Sequence, residues 1–154
     1  MKAVATFDAK KVKGVVRFTE LTDKKRVLID VDITGLKKNG KHGFHVHEYG
    51  DMTDQCTSMC AHFNPYGVEH GGPFSKTRHV GDLGNIVADA HGHARMQMTD
   101  PLIKLHGTKC NVIGRGLIIH EDEDDLGMGT NAASKQNGNA GKRIACAVIG
   151  ICKT

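Results

Sequence analysis

The sequence predicts an all-β fold, arranged as a sandwich or barrel of eight antiparallel strands. Apolar and polar residues alternate with a period of two in short segments, most clearly in 27–33, where Ile29 and Val31 alternate with Asp30 and Asp32. Nineteen glycines and three prolines in 154 residues indicate many tight turns, because glycine destabilises helices and tolerates positive φ. No stretch of ordinary helix length carries an apolar stripe. We therefore expect one domain of strands.

Eight segments have the length and apolar pattern of strands. In chain order they are 3–7, 14–18, 27–33, 43–47, 85–88, 94–98, 116–120 and 144–151. Turn residues such as Asn39-Gly40 and His91-Gly92 lie between neighbouring segments, and such turns favour antiparallel connections.

Two long segments, 48–82 and 121–142, interrupt this strand pattern for more than 20 residues each. Loops of that length are uncommon in compact domains and are usually functional or disordered. These two carry histidines, cysteines and an arginine next to strands, so we predict that they are functional loops.

Composition excludes several classes of function. The apolar runs are too short for a transmembrane helix of about 20 residues, and the first residues lack the apolar core of a signal peptide. We therefore expect a cytoplasmic protein with no membrane partner. The formal net charge is only +4, and the basic residues lie in turn-like segments without interleaved aromatics, so we expect no nucleic-acid partner.

His45 and His47 form a pair with the spacing i, i+2. On a strand this spacing places both imidazoles on one face, while Phe44 and Val46 point to the core. Such a pair can hold a metal ion, but two solvated histidines on a surface strand explain the pattern equally well.

The first long loop supplies a stronger metal-binding pattern. His62, His70, His79 and Asp82 follow the spacing H-x7-H-x8-H-x2-D. Three imidazoles and one carboxylate suit a closed tetrahedral zinc site, which would anchor a loop that has no strand pairing of its own. His120 ends the predicted strand 116–120, and its position alone leaves open whether it reaches the first histidine pair.

Several ordered motifs resemble those of the copper/zinc superoxide dismutase family, and the match runs almost end to end. The motifs are 43–48 (GFHVHE), 62–65 (HFNP), 70–73 (HGGP), 78–85 (RHVGDLGN) and 138–141 (GNAG), followed by Arg143. The resemblance implies a single dismutase domain over 1–154. Its fold would be an eight-stranded antiparallel Greek-key barrel, an immunoglobulin-like sandwich, with two long functional loops.

The resemblance also implies one copper ion and one zinc ion per subunit. Copper would be held by His45, His47, His62 and His120. Zinc would be held by His62, His70, His79 and Asp82, with the His62 ring shared between the metals. Copper bound by imidazoles cycles between Cu(II) and Cu(I), whereas d10 zinc keeps its oxidation state, so we expect zinc to have a structural and tuning role.

Two further residues acquire roles through the resemblance. Arg143 would dock the superoxide anion, and Asp124 would join His45 to His70 and so fix the orientation of both rings. His62 would carry a proton to the product. Without the resemblance, Arg143 reads as an ordinary surface arginine and Asp124 as one member of a solvated acidic run.

A disulfide between Cys56 and Cys146 is implied in the same way. The alternative is a pair of reduced thiols, which is the default for a chain without an export signal. We expect Cys60, Cys110 and Cys152 to be free.

The implied reaction converts two superoxide anions and two protons to O2 and hydrogen peroxide, in antioxidant defence. Two alternatives stay open. One is the dismutase-like domain of a copper chaperone, which normally follows a domain with a Cys-x-x-Cys motif. The other is a zinc-only structural or metal-buffering protein.

Two protein partners are implied. The first is a second copy of the chain, since four positions match the two-fold interface of family members, namely Gly50, Ile113, Gly114 and Ile151. The second is a copper chaperone. We expect it to be dispensable, because Lys142 and Ile144 flank Arg143 where chaperone-dependent relatives have prolines, which restrict the backbone.

Overall fold

The computed structural model describes residues 1–23 and 25–153. Within these ranges the chain forms nine strands: β1 (Lys2–Asp8), β2 (Lys13–Glu20), β3 (Val27–Thr34), β4 (Lys41–His47), β5 (Asp82–Val87), β6 (Ala94–Asp100), β7 (Gly116–His120), β8 (Arg143–Val148) and β9 (Gly150–Ile151). It also forms one α-helix, α1 (Ala132–Asn137), and one 3-10 turn, Thr57–Met59. Neither described helix is long and apolar enough to cross a membrane.

The strands form two antiparallel sheets. One sheet has the order β6-β3-β2-β1-β9, and the other has the order β5-β4-β7-β8. The pairs β3–β6 and β4–β7 join strands that are not neighbours in sequence, as in a Greek key. In the described ranges no strand of one sheet pairs with a strand of the other. The all-β prediction is confirmed, in its sandwich form.

The last predicted strand, 144–151, is two strands in the structure. β8 belongs to the four-stranded sheet and β9 to the five-stranded sheet, and the chain crosses between them at Ile149. The backbone N–H of Ile149 donates to the carbonyl of Arg115, and its own carbonyl accepts from Gly114. These bonds go to the loop before β7, so the strand is interrupted and the two sheets are connected at this edge.

Alternation along the strands builds the core between the sheets. In β3, Val27, Ile29, Val31 and Ile33 are buried while Asp30 and Asp32 are exposed, as predicted. By contrast, all of β7 and all of β4 after Lys41 are buried on both faces. The outer face of these two central strands is therefore covered, and the two long loops cover it.

The disulfide between Cys56 and Cys146 ties the first long loop to β8, with a Cα–Cα distance of 5.7 Å. Cys60, Cys110 and Cys152 are free, as expected. The second long loop contains α1, which the sequence analysis did not predict. This helix of six residues is too short for an apolar stripe, and its caps define it: Asn131 accepts from the N–H of Ser134, and Gly138 adopts φ 73°.

Candidate metal centre

Four histidines meet on the outer face of the four-stranded sheet. His45 and His47 project from β4, and His120 ends β7, which pairs with β4. His62 reaches them from the first long loop through an isolated bridge to His47. One nitrogen from each of the four rings lies within 4.8 Å of the others, and all four residues are buried. The structure thus brings His120 to the pair at i, i+2, which the sequence alone left open.

A second cluster shares His62 with the first. His62, His70, His79 and Asp82 also place one ligand atom each within 4.8 Å of one another. The Nδ1 atoms of the three histidines lie 3.0, 2.9 and 3.2 Å from Asp82 Oδ1, in that order. The other oxygen of Asp82 accepts from the N–H groups of Gly71 and His79, so Oδ1 is left for the cluster.

Hydrogen bonds fix which nitrogen of each ring faces the first cluster. His47 Nδ1 donates to the carbonyl of Cys60 at 2.8 Å, and His120 Nδ1 donates to the carbonyl of Gly141 at 3.1 Å. Because a carbonyl only accepts, the proton is on Nδ1 and the lone pair is on Nε2 in both rings. The two Nε2 atoms lie 3.4 Å apart.

Four buried side-chain nitrogens lack a hydrogen-bond partner among the described residues, and three of them face the clusters. These three are His45 Nδ1 and His62 Nε2 in the first cluster and His70 Nδ1 in the second; the fourth, His42 Nε2, lies on the other face of β4. The 2.9 Å approach of His70 Nδ1 to Asp82 is therefore a contact without hydrogen-bond geometry. Buried polar atoms are rarely left unpaired, and neutral imidazole is a common ligand of copper and zinc. The donor sets thus fit two metal ions.

Asp124 lies between the two clusters. Its Oδ2 accepts from His45 Nε2 at 2.6 Å, and its Oδ1 accepts from His70 Nε2 at 2.7 Å. Each bond turns the opposite nitrogen of its ring toward a cluster. A Cβ at Gly138 would come within 1.8 Å of Asp124 Oδ1, so only glycine fits beside this bridge.

The electrostatics of the two clusters differ. Burial holds the pKa of His45, His47 and His62 below its usual value and lowers that of His120 to about 4, so these rings are neutral at pH 7. Burial would also lower the pKa of His70, but Asp124 and Asp82 raise it to about 9. Three histidines hold the pKa of Asp82 far below its usual range against the effect of burial.

Arg143 lines a cavity of about 710 Å³ above the first cluster, together with His47, His62 and His120. Its guanidinium donates to the carbonyls of Cys56 at 2.9 Å and Cys60 at 2.6 Å. Two backbone carbonyls therefore hold the guanidinium in the wall of this cavity. No sequence motif identifies these contacts.

Sequence reasoning missed the anchor of the loop that carries the second cluster. Arg78 precedes His79, and its guanidinium bonds to Asp100 at 2.6 Å and to the carbonyls of His79 and Val80. Both charged side chains are buried, with 3% and 2% exposed. An arginine next to a ligand histidine was a weak signal, but nothing in the sequence paired it with Asp100.

The remaining histidines lie outside both clusters. His93, which is partly exposed, contacts Asp32, and His106, which is exposed, contacts Glu20. His91 is exposed in the turn before β6. His42 is buried on the opposite face of β4.

Comparisons with known proteins agree with this geometry. The sequence profile of the family described as "Copper/zinc superoxide dismutase (SODC)" matches residues 12–149. The chain is 65% identical over 142 residues to a superoxide dismutase [Cu-Zn] of Paramecium bursaria Chlorella virus 1, covering 92% of this chain and 74% of the relative. It is 48% identical over 141 residues to a superoxide dismutase [Cu-Zn] of Schizosaccharomyces pombe, covering 92% and 91%. A crystal structure of the clock protein EA4 superimposes with a TM-score of 0.94 at 42% identity, covering 98% and 94%.

Replacing Arg78 tests the anchor. We expect Arg78→Met to lower the free energy of unfolding by about 3 to 5 kcal/mol, because Asp100 would be left as an unpaired buried charge. Denaturation in urea measures the loss. Arg95→Met is the control, since Arg95 is 74% exposed and lies 3.9 Å from Asp32. It should cost less than about 0.5 kcal/mol. Equal losses in the two variants would contradict the anchoring role.

Proposed function

Because the chain belongs to the copper/zinc superoxide dismutase family, we propose which of its residues hold the two metals. Its cofactors are copper and zinc, and it converts two superoxide anions and two protons to O2 and hydrogen peroxide. Copper is assigned to His45, His47, His62 and His120, and zinc to His62, His70, His79 and Asp82. The observation that supports this assignment is the pair of buried four-ligand clusters that share one ring.

When bound, copper supplies the one-electron cycle between Cu(II) and Cu(I), which zinc cannot perform. The His62 ring contributes the proton chemistry, since its Nδ1 faces Asp82 and its Nε2 faces the first cluster. Nε2 can hold a proton and pass it to the peroxide as it leaves. Asp124 keeps His45 and His70 oriented on either side of the shared ring.

Arg143 would dock the substrate. A superoxide anion that enters the cavity meets a guanidinium already fixed by two carbonyls, so little further ordering is needed. Lys135 also lines this cavity, and the formal net charge of +4 favours the approach of an anion.

Metal removal and reloading test the assignment. The protein loaded with zinc alone should consume no superoxide, and adding one equivalent of copper should restore activity, because only copper accepts an electron. Metal analysis beside a superoxide assay measures both. Copper binding without activity would favour a metal-buffering protein. Activity with zinc alone would contradict the mechanism.

Substitution of Arg143 tests the docking role. We expect Arg143→Ala to retain both metals and to lower kcat/KM by at least about 10-fold at low ionic strength, with a weaker salt dependence. Arg95→Ala removes the same charge from an exposed surface site outside the cavity lining. It should leave kcat/KM nearly unchanged. Unchanged kinetics in Arg143→Ala would refute docking by this residue.

We further propose a homodimer. Two apolar side chains at or next to predicted interface positions are exposed in the single chain: Ile151 is 73% exposed, and Tyr49, which precedes Gly50, is 54% exposed. Gly50 lies against Gly114, where a Cβ would meet the Gly114 carbonyl at 2.2 Å, so these predicted interface glycines form one surface. Exposed apolar surface of this kind is typical of contact with a second copy.

Sedimentation at micromolar concentration tests the dimer. The protein should sediment at twice 16.7 kDa, and Ile151→Glu should shift it toward one chain by placing a charge in the apolar patch. Val87→Glu is the control, since Val87 is 50% exposed on β5, in the other sheet. A wild-type monomer would contradict the proposal.

A cytoplasmic location and a dispensable copper chaperone are proposed on the same basis. Three free cysteines suit a reducing compartment. Lys142 and Ile144 leave the backbone beside Arg143 unrestricted by proline. Expression with added copper in cells without a copper chaperone tests the second point. Inactive protein that regains activity on reloading would contradict it.

A further inference from the structure

Lys135 lies where the two long loops meet. It belongs to α1 and lines the cavity above the first cluster, so its charge favours the approach of an anion. Its hydrogen bonds indicate a second role. The Lys135 ammonium group donates to the carbonyl of Gly127 at 2.6 Å, and the Lys135 carbonyl accepts from the N–H of His70 at 2.8 Å. One residue of α1 thus bonds to both long loops beside a member of the second cluster.

The carbonyl of Gly127 depends on Lys135 for a donor. Gly127 is buried, and among the described residues no other group donates to its oxygen. A buried carbonyl without a donor is unfavourable, so a side chain that reaches this oxygen stabilises the turn around it. Because the donor is an ammonium group, the bond is stronger than one between neutral groups.

The turn that contains Gly127 has an unfavourable backbone conformation. Leu126 has φ 61° and Gly127 has φ 76°, so two successive residues lie in the left-handed region, which leucine rarely adopts. The Leu126 N–H donates to Asp124 Oδ1 at 2.8 Å, and the same oxygen accepts from His70 Nε2. This turn is therefore joined directly to the aspartate that orients the His70 ring.

Gly127 also lies directly against the backbone of His70. A Cβ at Gly127 would come within 2.6 Å of the His70 carbonyl oxygen, so the two peptides are in contact. The His70 N–H is bonded to Lys135 itself. The backbone of His70 is therefore held by Lys135 at its amide and by Gly127 at its carbonyl. The ring on this backbone directs Nδ1 toward the second cluster.

We propose that Lys135 is a positioning residue for the zinc ligand His70, acting through the bond from its ammonium group to the Gly127 carbonyl. This inference rests on the proposed function, because it takes His70 as a zinc ligand. Loss of the bond would release the turn after Asp124, and His70 contacts both that turn and that aspartate. Contacts behind a metal ligand commonly alter metal affinity.

Two substitutions of Lys135 separate positioning from the attraction of superoxide. Lys135→Met keeps an unbranched side chain but removes the charge and the donor, whereas Lys135→Arg keeps both. Lys142 provides the control, because it is exposed and its bond to Glu121 uses its backbone carbonyl. Lys142→Met therefore removes the same charge from the same loop without removing a contact near His70.

We expect Lys135→Met to hold zinc about 10-fold less tightly and to change the visible spectrum of Co(II) bound in place of zinc. Lys135→Arg should lie within about 3-fold of wild-type zinc affinity and keep the wild-type Co(II) spectrum, and so should Lys142→Met. Competition with a chromophoric chelator measures the zinc affinity of the full chain with copper bound. Absorption of the cobalt-substituted protein measures the geometry of the site.

Three results would overturn the inference. One is wild-type zinc affinity and a wild-type Co(II) spectrum in Lys135→Met, even where its kcat/KM is lower, because Lys135 would then only attract superoxide. Another is an equal loss of zinc affinity in Lys142→Met, which would trace the effect to charge alone. The third is an equal loss in Lys135→Arg, which keeps the donor. A wild-type protein that binds no zinc would instead overturn the assigned zinc site, and with it this inference.

Discussion

The structure depends on the convergence of six buried imidazoles, each with a ring nitrogen that faces one of two adjoining gaps. Carbonyl or carboxylate groups bond the opposite nitrogens of His45, His47, His70 and His120, so these rings cannot turn away. Nitrogen atoms brought together in this way repel one another unless a proton or a metal ion lies between them. Metal binding therefore belongs to the folding energetics of this chain, because an ion that binds only the native arrangement stabilises it.

The pleat of β4 keeps this polar assembly apart from the core. Phe44 and Val46 pack between the sheets, and His45 and His47 project into the site from the same short strand. A shift of one residue in register would exchange the two sets, so the apolar core defines the position of the metal-facing histidines. The sheet supplies rigidity, and the long loops supply the remaining ligands.

How much the sequence predicts depends on whether a feature is local. The period of two predicted β3 and the shared face of His45 and His47, since both follow from neighbouring residues. The split between β8 and β9 was not predicted, because it depends on backbone bonds from Ile149 to a distant loop. The Arg78–Asp100 pair was missed for a similar reason, since it joins segments that are distant in sequence.

The segment 56–62 connects the disulfide to the residues around the first cluster. Cys56 is bonded to Cys146 on β8, and Arg143 begins the same strand. The guanidinium of Arg143 bonds back to the carbonyls of Cys56 and Cys60. The Cys60 carbonyl also accepts from His47 Nδ1. One backbone oxygen thus bonds both Arg143, the cation proposed to dock the substrate, and His47, a proposed copper ligand, and the disulfide restricts the loop that carries this oxygen. Loss of the disulfide would therefore disturb the positions of Arg143 and His47 together.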